Sequence, residues 1–107
     1  MMATSGYREA APTRDEVDAK RGPLVIEFGT DGCGHCQAAQ PAIASALAGR
    51  DPVEHLKIED GKGRPLGRSF SVRLWPTLIV MRDGVELARV VRPTDAAAVI
   101  EALRALD

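Results

Sequence analysis

The sequence predicts an α/β domain built on a central mixed four-stranded sheet. Two of its strands are parallel and linked by a crossover, a closing hairpin is antiparallel, and about four helices flank the sheet. Three observations carry this. Leu24-Val25-Ile26-Glu27-Phe28 and Thr77-Leu78-Ile79-Val80-Met81 are short, mostly apolar runs rich in branched residues, as in strands covered on both faces. An Ala-rich helical stretch follows the first run, so the strand beyond it returns parallel to the first by a right-handed crossover. Asp83-Gly84 stands between two strand-like runs and is a two-residue hairpin signal.

The elements follow in order. Residues 1–12 are small and polar and are expected to be a flexible N-terminal segment, with at most one short strand near Tyr7; the folded domain is expected over 13–107. Thr13 and Glu16 have capping-box spacing, so a short helix runs from Arg14 to Lys20 and stops at Gly22-Pro23. After the strand at 24–28, Thr30-Asp31-Gly32 is a turn, and the helix from Cys33 to about Ala48 presents Ala39, Ile43, Ala46 and Leu47 on one face. Pro41 removes a backbone bond inside it and predicts a kink; Gly49-Arg50-Asp51-Pro52 ends it. Val53 to Glu59 reads as a strand, Pro65 to Phe70 as a short helix, and Val85 to Val91 as the hairpin return. Thr94 or Asp95 caps a last helix whose Val99, Ile100, Leu103 and Leu106 share a face.

Composition narrows the function. The chain has 107 residues and a formal net charge of −1, so bulk attraction to nucleic acid or to an anionic membrane is not expected. No apolar run is long enough to span a bilayer, and the N-terminus has no apolar signal-like core, which makes the cytoplasm the expected location. A monomer is expected.

The chain's two cysteines, Cys33 and Cys36, lie in GTDGCGHCQAAQP with two residues between them. A structural staple across so short a loop removes little unfolded-state entropy, and such staples are rare in a reducing compartment. A zinc site would use Cys33, Cys36, His35 and His55, but zinc sites of this kind use two such knuckles and the chain has one. Dithiol chemistry fits better. Cys33 opens a helix, where free N–H groups and the dipole favour a thiolate, the attacking form of cysteine. Cys36 lies one turn deeper on the same side and is placed to resolve a mixed disulfide. His35, when positive, would favour the Cys33 thiolate further; otherwise it is an exposed helix residue.

The tetrad Cys33-Gly34-His35-Cys36 at a strand–helix junction, Pro41 eight residues after Cys33, and Trp75-Pro76-Thr77 opening a strand resemble the thioredoxin family. The tetrad itself is similar to that of protein disulfide isomerase catalytic domains. The resemblance runs from about Pro23 to Asp107. It implies a thioredoxin-like fold and a thiol-disulfide oxidoreductase, reductase or isomerase, with no cofactor beyond the redox-active Cys33–Cys36 pair. Its partners would be protein disulfide substrates and a thiol reductant or reductase. It implies Cys33 as the nucleophile and Cys36 as the resolving thiol. Glu27 stands at the family's buried acid position, where desolvation would raise its pKa and let it take the proton of Cys36; the alternative is an acid that reaches solvent or pairs with Lys57. Pro76 matches the family's cis-proline, and the backbone of Trp75 would pair with substrate.

The sequence also departs from the family. Gly32 stands where thioredoxins usually have tryptophan, so Trp75 is expected to supply the apolar contact that Gly32 cannot, unless it is packed away in the core. Arg92 stands where glycine is frequent; it is expected either to bind an acidic substrate group or to be a solvated strand end. Gly32, Gly34, Trp75, Pro76 and Arg92 are thus the expected substrate surface. Lys62, Arg64, Arg68 and Arg73 cluster before the Trp-Pro corner, as solvated surface or as a steering patch for acidic partners. A redox-inert binding module on the same fold is the competing reading of function.

Overall fold

The computed structural model describes residues 6–50 and 52–107. Its elements are α1 (Arg14–Ala19), β1 (Pro23–Gly29), α2 (Gly34–Leu47), β2 (Glu54–Glu59), α3 (Pro65–Ser69), β3 (Thr77–Arg82), β4 (Val85–Val91) and α4 (Ala96–Leu103), which tightens into a 3-10 turn over Arg104–Leu106. The sheet order is β2-β1-β3-β4. β1 and β2 are parallel, joined through α2, while β3 runs antiparallel to both β1 and β4. This is the mixed four-stranded architecture the sequence predicts.

Local signals decide the ends of elements. The Thr13 side chain accepts from the Glu16 amide and the Glu16 side chain accepts from the Thr13 amide, closing both halves of the capping box. Asp83 and Gly84 take φ of 52° and 81°, the doubly left-handed pair that a tight hairpin needs. Asp95, not Thr94, caps α4, accepting from the Ala98 amide at 3.1 Å. The α2 helix runs through Pro41, whose missing N–H leaves the Gln37 carbonyl without its intrahelical donor. Asp51 of the expected helix stop lies outside the described residues.

The sheet separates two apolar cores. Alternate β1 residues Leu24, Ile26 and Phe28 pack with Val17 of α1, Leu66 of α3, and Phe70, Ile79 and Met81. On the other face Val25 packs with Ala39, Ile43 and Ala46 of α2 and Val99 and Leu103 of α4. Ile100 does not join them: it is 40% exposed, because its neighbours Val99 and Leu103 take the inward positions of this short helix.

Of the expected loose start, residues 1–5 lie outside the described residues. Tyr7 is buried, and the short strand expected near it is a single parallel bridge from Arg8 to Ile58. Arg8 donates to the Lys57 carbonyl and accepts from the Glu59 amide, both at 2.9 Å, which lays the segment along the free edge of β2.

Candidate active site

Three loops converge at the carboxyl end of β1. Cys33 follows β1 directly. The Asp60 amide, just beyond β2, donates to the Gly29 carbonyl at 3.0 Å. Thr77, at the start of β3, pairs with Phe28, so Trp75 and Pro76 run past the same end. Strand ends of this kind are where α/β sheets place their ligand sites.

Cys33 is the N-cap of α2, and its Sγ accepts from the Cys36 amide at 3.2 Å. The sulfur thus occupies the place that an oxygen takes in an ordinary cap, against an unsatisfied N–H at the positive end of the helix. Both cysteines are free thiols; Cys33 is partly exposed, Cys36 buried. Burial, with a hydrogen bond to Cys33, pushes the Cys36 thiol up to about 11, so it holds its proton at neutral pH. The His35 side chain is exposed on the first turn and hydrogen-bonds to no other described residue.

Glu27 lies on the α2 face of β1, two residues from Val25, and is fully buried. Its Oε1 meets His55 Nε2 at 2.9 Å. Its Oε2 accepts from the Tyr7 hydroxyl and, at 2.9 Å, from Gln40 Nε2. Burial alone would raise its pKa, as the sequence reading has it. The hydrogen bonds from His55, Gln40 and Tyr7, with the charge of His55, outweigh burial and hold the carboxyl below the usual glutamate range. The expectation of a raised pKa is therefore corrected. The apolar run around Glu27 is visible in sequence, but its donors come from distant segments.

Lys57 sits opposite Glu27 in the β1–β2 register yet does not pair with it. Its Nζ donates to Gln40 Oε1 at 2.8 Å and lies 4.8 Å from the centroid of the Tyr7 ring. Gln40 therefore stands between the cation and the acid, and its Nε2 also donates to the Cys36 carbonyl at 2.9 Å. The Tyr7 hydroxyl, bonded to Glu27, lies beside the Cys36 sulfur as well. Gly29 leaves room for this meeting: a Cβ there would stand 2.6 Å from Cys36 Sγ and 2.8 Å from the Tyr7 hydroxyl.

On the other side of the site the Trp75-Pro76 peptide is cis. The Trp75 indole N–H donates to buried Asp60 at 2.9 Å. Beyond chain neighbours and the backbone of its own helix turn at Gly34, nothing lies within 4 Å of where a Cβ would stand on Gly32 or Gly34, so both are open. Arg92 is exposed at the end of β4, and its Nε donates to the Trp75 carbonyl at 2.9 Å. It holds a left-handed φ of 50°, and its amide donates to the Pro76 carbonyl at 2.8 Å. Lys62, Arg64, Arg68 and Arg73 line a groove of about 510 Å³ beside Trp75. Within it Arg64 is spent on Glu59, at 2.6 Å. Among the described residues, no three of His, Cys, Asp or Glu come together as a metal site would require.

Sequence reasoning missed Tyr7, Gln40 and Asp60, and weighed His55 only as a metal ligand. Gln40 carried a signal, since it follows Cys36 by four residues and so lies over it on the helix. Tyr7 carried none, being a lone aromatic in a polar stretch.

The family profile described as Thioredoxin matches residues 8–105. The chain belongs to the thioredoxin family. It is 55% identical to thioredoxin 2 of Pseudomonas aeruginosa, solved in its reduced form; the match covers 97% of this chain and 96% of that one, with a TM-score of 0.87. It is also 30% identical over 97 residues to the protein disulfide-isomerase of Zea mays, covering 84% of this chain but 19% of that protein. To the protein disulfide-isomerase erp38 of Neurospora crassa it is 38% identical over 84 residues, covering 73% of this chain and 23% of that protein. The chain thus spans only about a fifth of the length of these two curated relatives.

Proposed function

We propose that this thioredoxin-family chain is a thiol-disulfide oxidoreductase that exchanges protein disulfides through Cys33 and Cys36, with Cys33 as the nucleophile. The observation that carries the reading is the sulfur cap: Cys33 Sγ takes the Cys36 amide at 3.2 Å at the tip of α2, partly exposed. Attack by Cys33 on a substrate disulfide forms a mixed disulfide and releases one substrate thiolate. Cys36, buried behind it, then attacks Cys33 Sγ, releases the second substrate thiolate and leaves the Cys33–Cys36 disulfide. A thiol reductant or reductase restores the dithiol. The chemistry needs no further cofactor.

In this reading Glu27 is the proton acceptor of the resolving step, working as a carboxylate. His35, exposed beside Cys33, biases the charge at the attacking sulfur. Trp75 and Pro76, with the open backbone of Gly32 and Gly34, form the surface on which substrate lies. Arg92 orders the Trp75 carbonyl at its edge. The working form is a monomer in the cytoplasm, where the thiol pool keeps such a pair reduced.

Reduction of insulin by the purified protein tests the proposal. Turnover abolished by Cys33→Ser, with a mixed disulfide trapped in Cys36→Ser, is expected. A wild-type protein without turnover would favour the redox-inert binding module. The potential of the couple in glutathione buffer decides direction: near about −270 mV for a reductase, near about −180 mV for an isomerase.

A further inference from the structure

Cys36 must lose its proton to resolve a mixed disulfide, and both Glu27 oxygens already accept hydrogen bonds from other groups. Oε1 is engaged by His55, and Oε2 by Tyr7 and Gln40. The Tyr7 hydroxyl bonds the carboxylate and also lies beside the Cys36 sulfur: one point next to Gly29 is 2.8 Å from the hydroxyl and 2.6 Å from Sγ, and both residues line the same cleft. It donates to Glu27, so its lone pairs remain for other donors; one receives Gln40 Nε2 at 3.3 Å. Burial and the nearby carboxylate raise the pKa of the phenol far above its ordinary value. It therefore does not rest as a phenolate, and works only by accepting one proton as it gives another.

We propose that Tyr7 is a catalytic residue that carries the proton between Cys36 and Glu27 in the resolving step. This rests on the dithiol reading above. As Cys36 Sγ attacks Cys33 Sγ, the Cys36 thiol proton moves to the Tyr7 oxygen while the Tyr7 proton moves to Glu27 Oε2. The Cys33–Cys36 bond forms, the bond from Cys33 to the substrate sulfur breaks, and that sulfur leaves with the bonding pair. The dithiol is oxidised by two electrons and the substrate disulfide reduced. Glu27 then releases the proton to solvent, and the reverse reaction runs the same path backwards. Transfer is concerted with attack, since Glu27 is a weak base and Cys36 a weak acid before the new bond forms.

The charged and titratable groups around this path come from every adjoining element: Glu27 on β1, His55 and Lys57 on β2, Cys33 and Cys36 at α2, and Asp31 in the turn, which accepts from the Tyr7 amide at 2.9 Å. A cleft of about 70 Å³ lined by Tyr7, Cys36, Gln40 and Lys57 opens beside them, so water there is the competing carrier.

Tyr7→Phe keeps the ring and removes the carrier. The mixed disulfide of Cys33 with a fluorescent peptide is followed by rapid quench and mass spectrometry. Formation of the mixed disulfide is expected at the wild-type rate, and its resolution about 10²- to 10⁴-fold slower, the usual range for losing a positioned proton carrier. Resolution in the variant should climb with pH between 6 and 8 while the wild type stays flat. A variant that resolves at the wild-type rate and pH dependence overturns the proposal and assigns the proton to water in the cleft. The wild type supplies a second measure free of folding effects: resolution in mixed H₂O and D₂O should give a bowed proton inventory, from two protons in flight. A linear one would also overturn it. If no mixed disulfide forms at Cys33 at all, the dithiol reading fails instead.

Discussion

Gly29 is the last residue of β1, and its missing side chain leaves the space in which Cys36 and Tyr7 meet. A methyl group there would lie 2.6 Å from Cys36 Sγ and 2.8 Å from both Tyr7 Cζ and its hydroxyl. Comfortable contacts are about 3.5–4.0 Å, so both groups must retreat by roughly 1 Å. Gly29 has no left-handed φ, so Gly29→Ala perturbs space and not backbone. Overpacking of this kind costs about 1–3 kcal/mol. In a domain near this size each kcal/mol lowers Tm by about 4–8 °C. A misplacement of ~1 Å at reacting groups costs about 10²-fold in rate. Gly29→Ala should therefore fold, melt several degrees lower by circular dichroism, and form the Cys33 mixed disulfide normally, but resolve it about 100-fold more slowly. Wild-type resolution in a protein with an unchanged Tm would refute the packing argument.

Three further outcomes follow from the same reasoning. Glu27 has a folded pKa below its unfolded value of about 4.3, so its carboxylate stabilises the fold above that pH and the benefit is lost as pH falls through the lower folded pKa. Between pH 5 and pH 3 the Tm of Glu27→Gln should fall less steeply than that of the wild type; parallel melting curves would contradict this. Gly84→Ala should lose more than about 2 kcal/mol in urea titration, since it forces a left-handed φ of 81° on a side chain and sets a Cβ 2.1 Å from the Asp18 carbonyl oxygen. Trp75→Phe leaves the buried Asp60 carboxylate without its indole donor and should cost about 1–3 kcal/mol; a variant as stable as the wild type would show that the Trp75–Asp60 bond is not needed.

What could be read in the sequence was what neighbours in the chain decide. The Thr13–Glu16 cap, the Asp83-Gly84 turn and the spacing of Cys33 and Cys36 are each complete within a few residues, and all stand where they were expected. The network below Cys36 joins Tyr7, Glu27, Gln40, His55 and Lys57, which belong to four separate segments. The β1–β2 register, the packing of α2 on the sheet and the docking of the N-terminal segment on β2 bring them together, and none of these leaves a local signature. The expected pKa of Glu27 failed for that reason: desolvation is legible in an apolar strand, whereas the donors that oppose it are not. Ile100 failed for a smaller reason, because helical spacing gives a set of positions and the sheet beneath a short helix accepts only some of them.

The sheet is also a partition. Glu27 and the residues it gathers lie on the face that carries α2, while Leu24, Ile26 and Phe28 look the opposite way, toward α1 and α3. The sulfur chemistry is thus confined to one side of the sheet, although apolar core lies on both. Substitutions at Leu24, Ile26 or Phe28 should therefore move the melting temperature more than the sulfur chemistry in front.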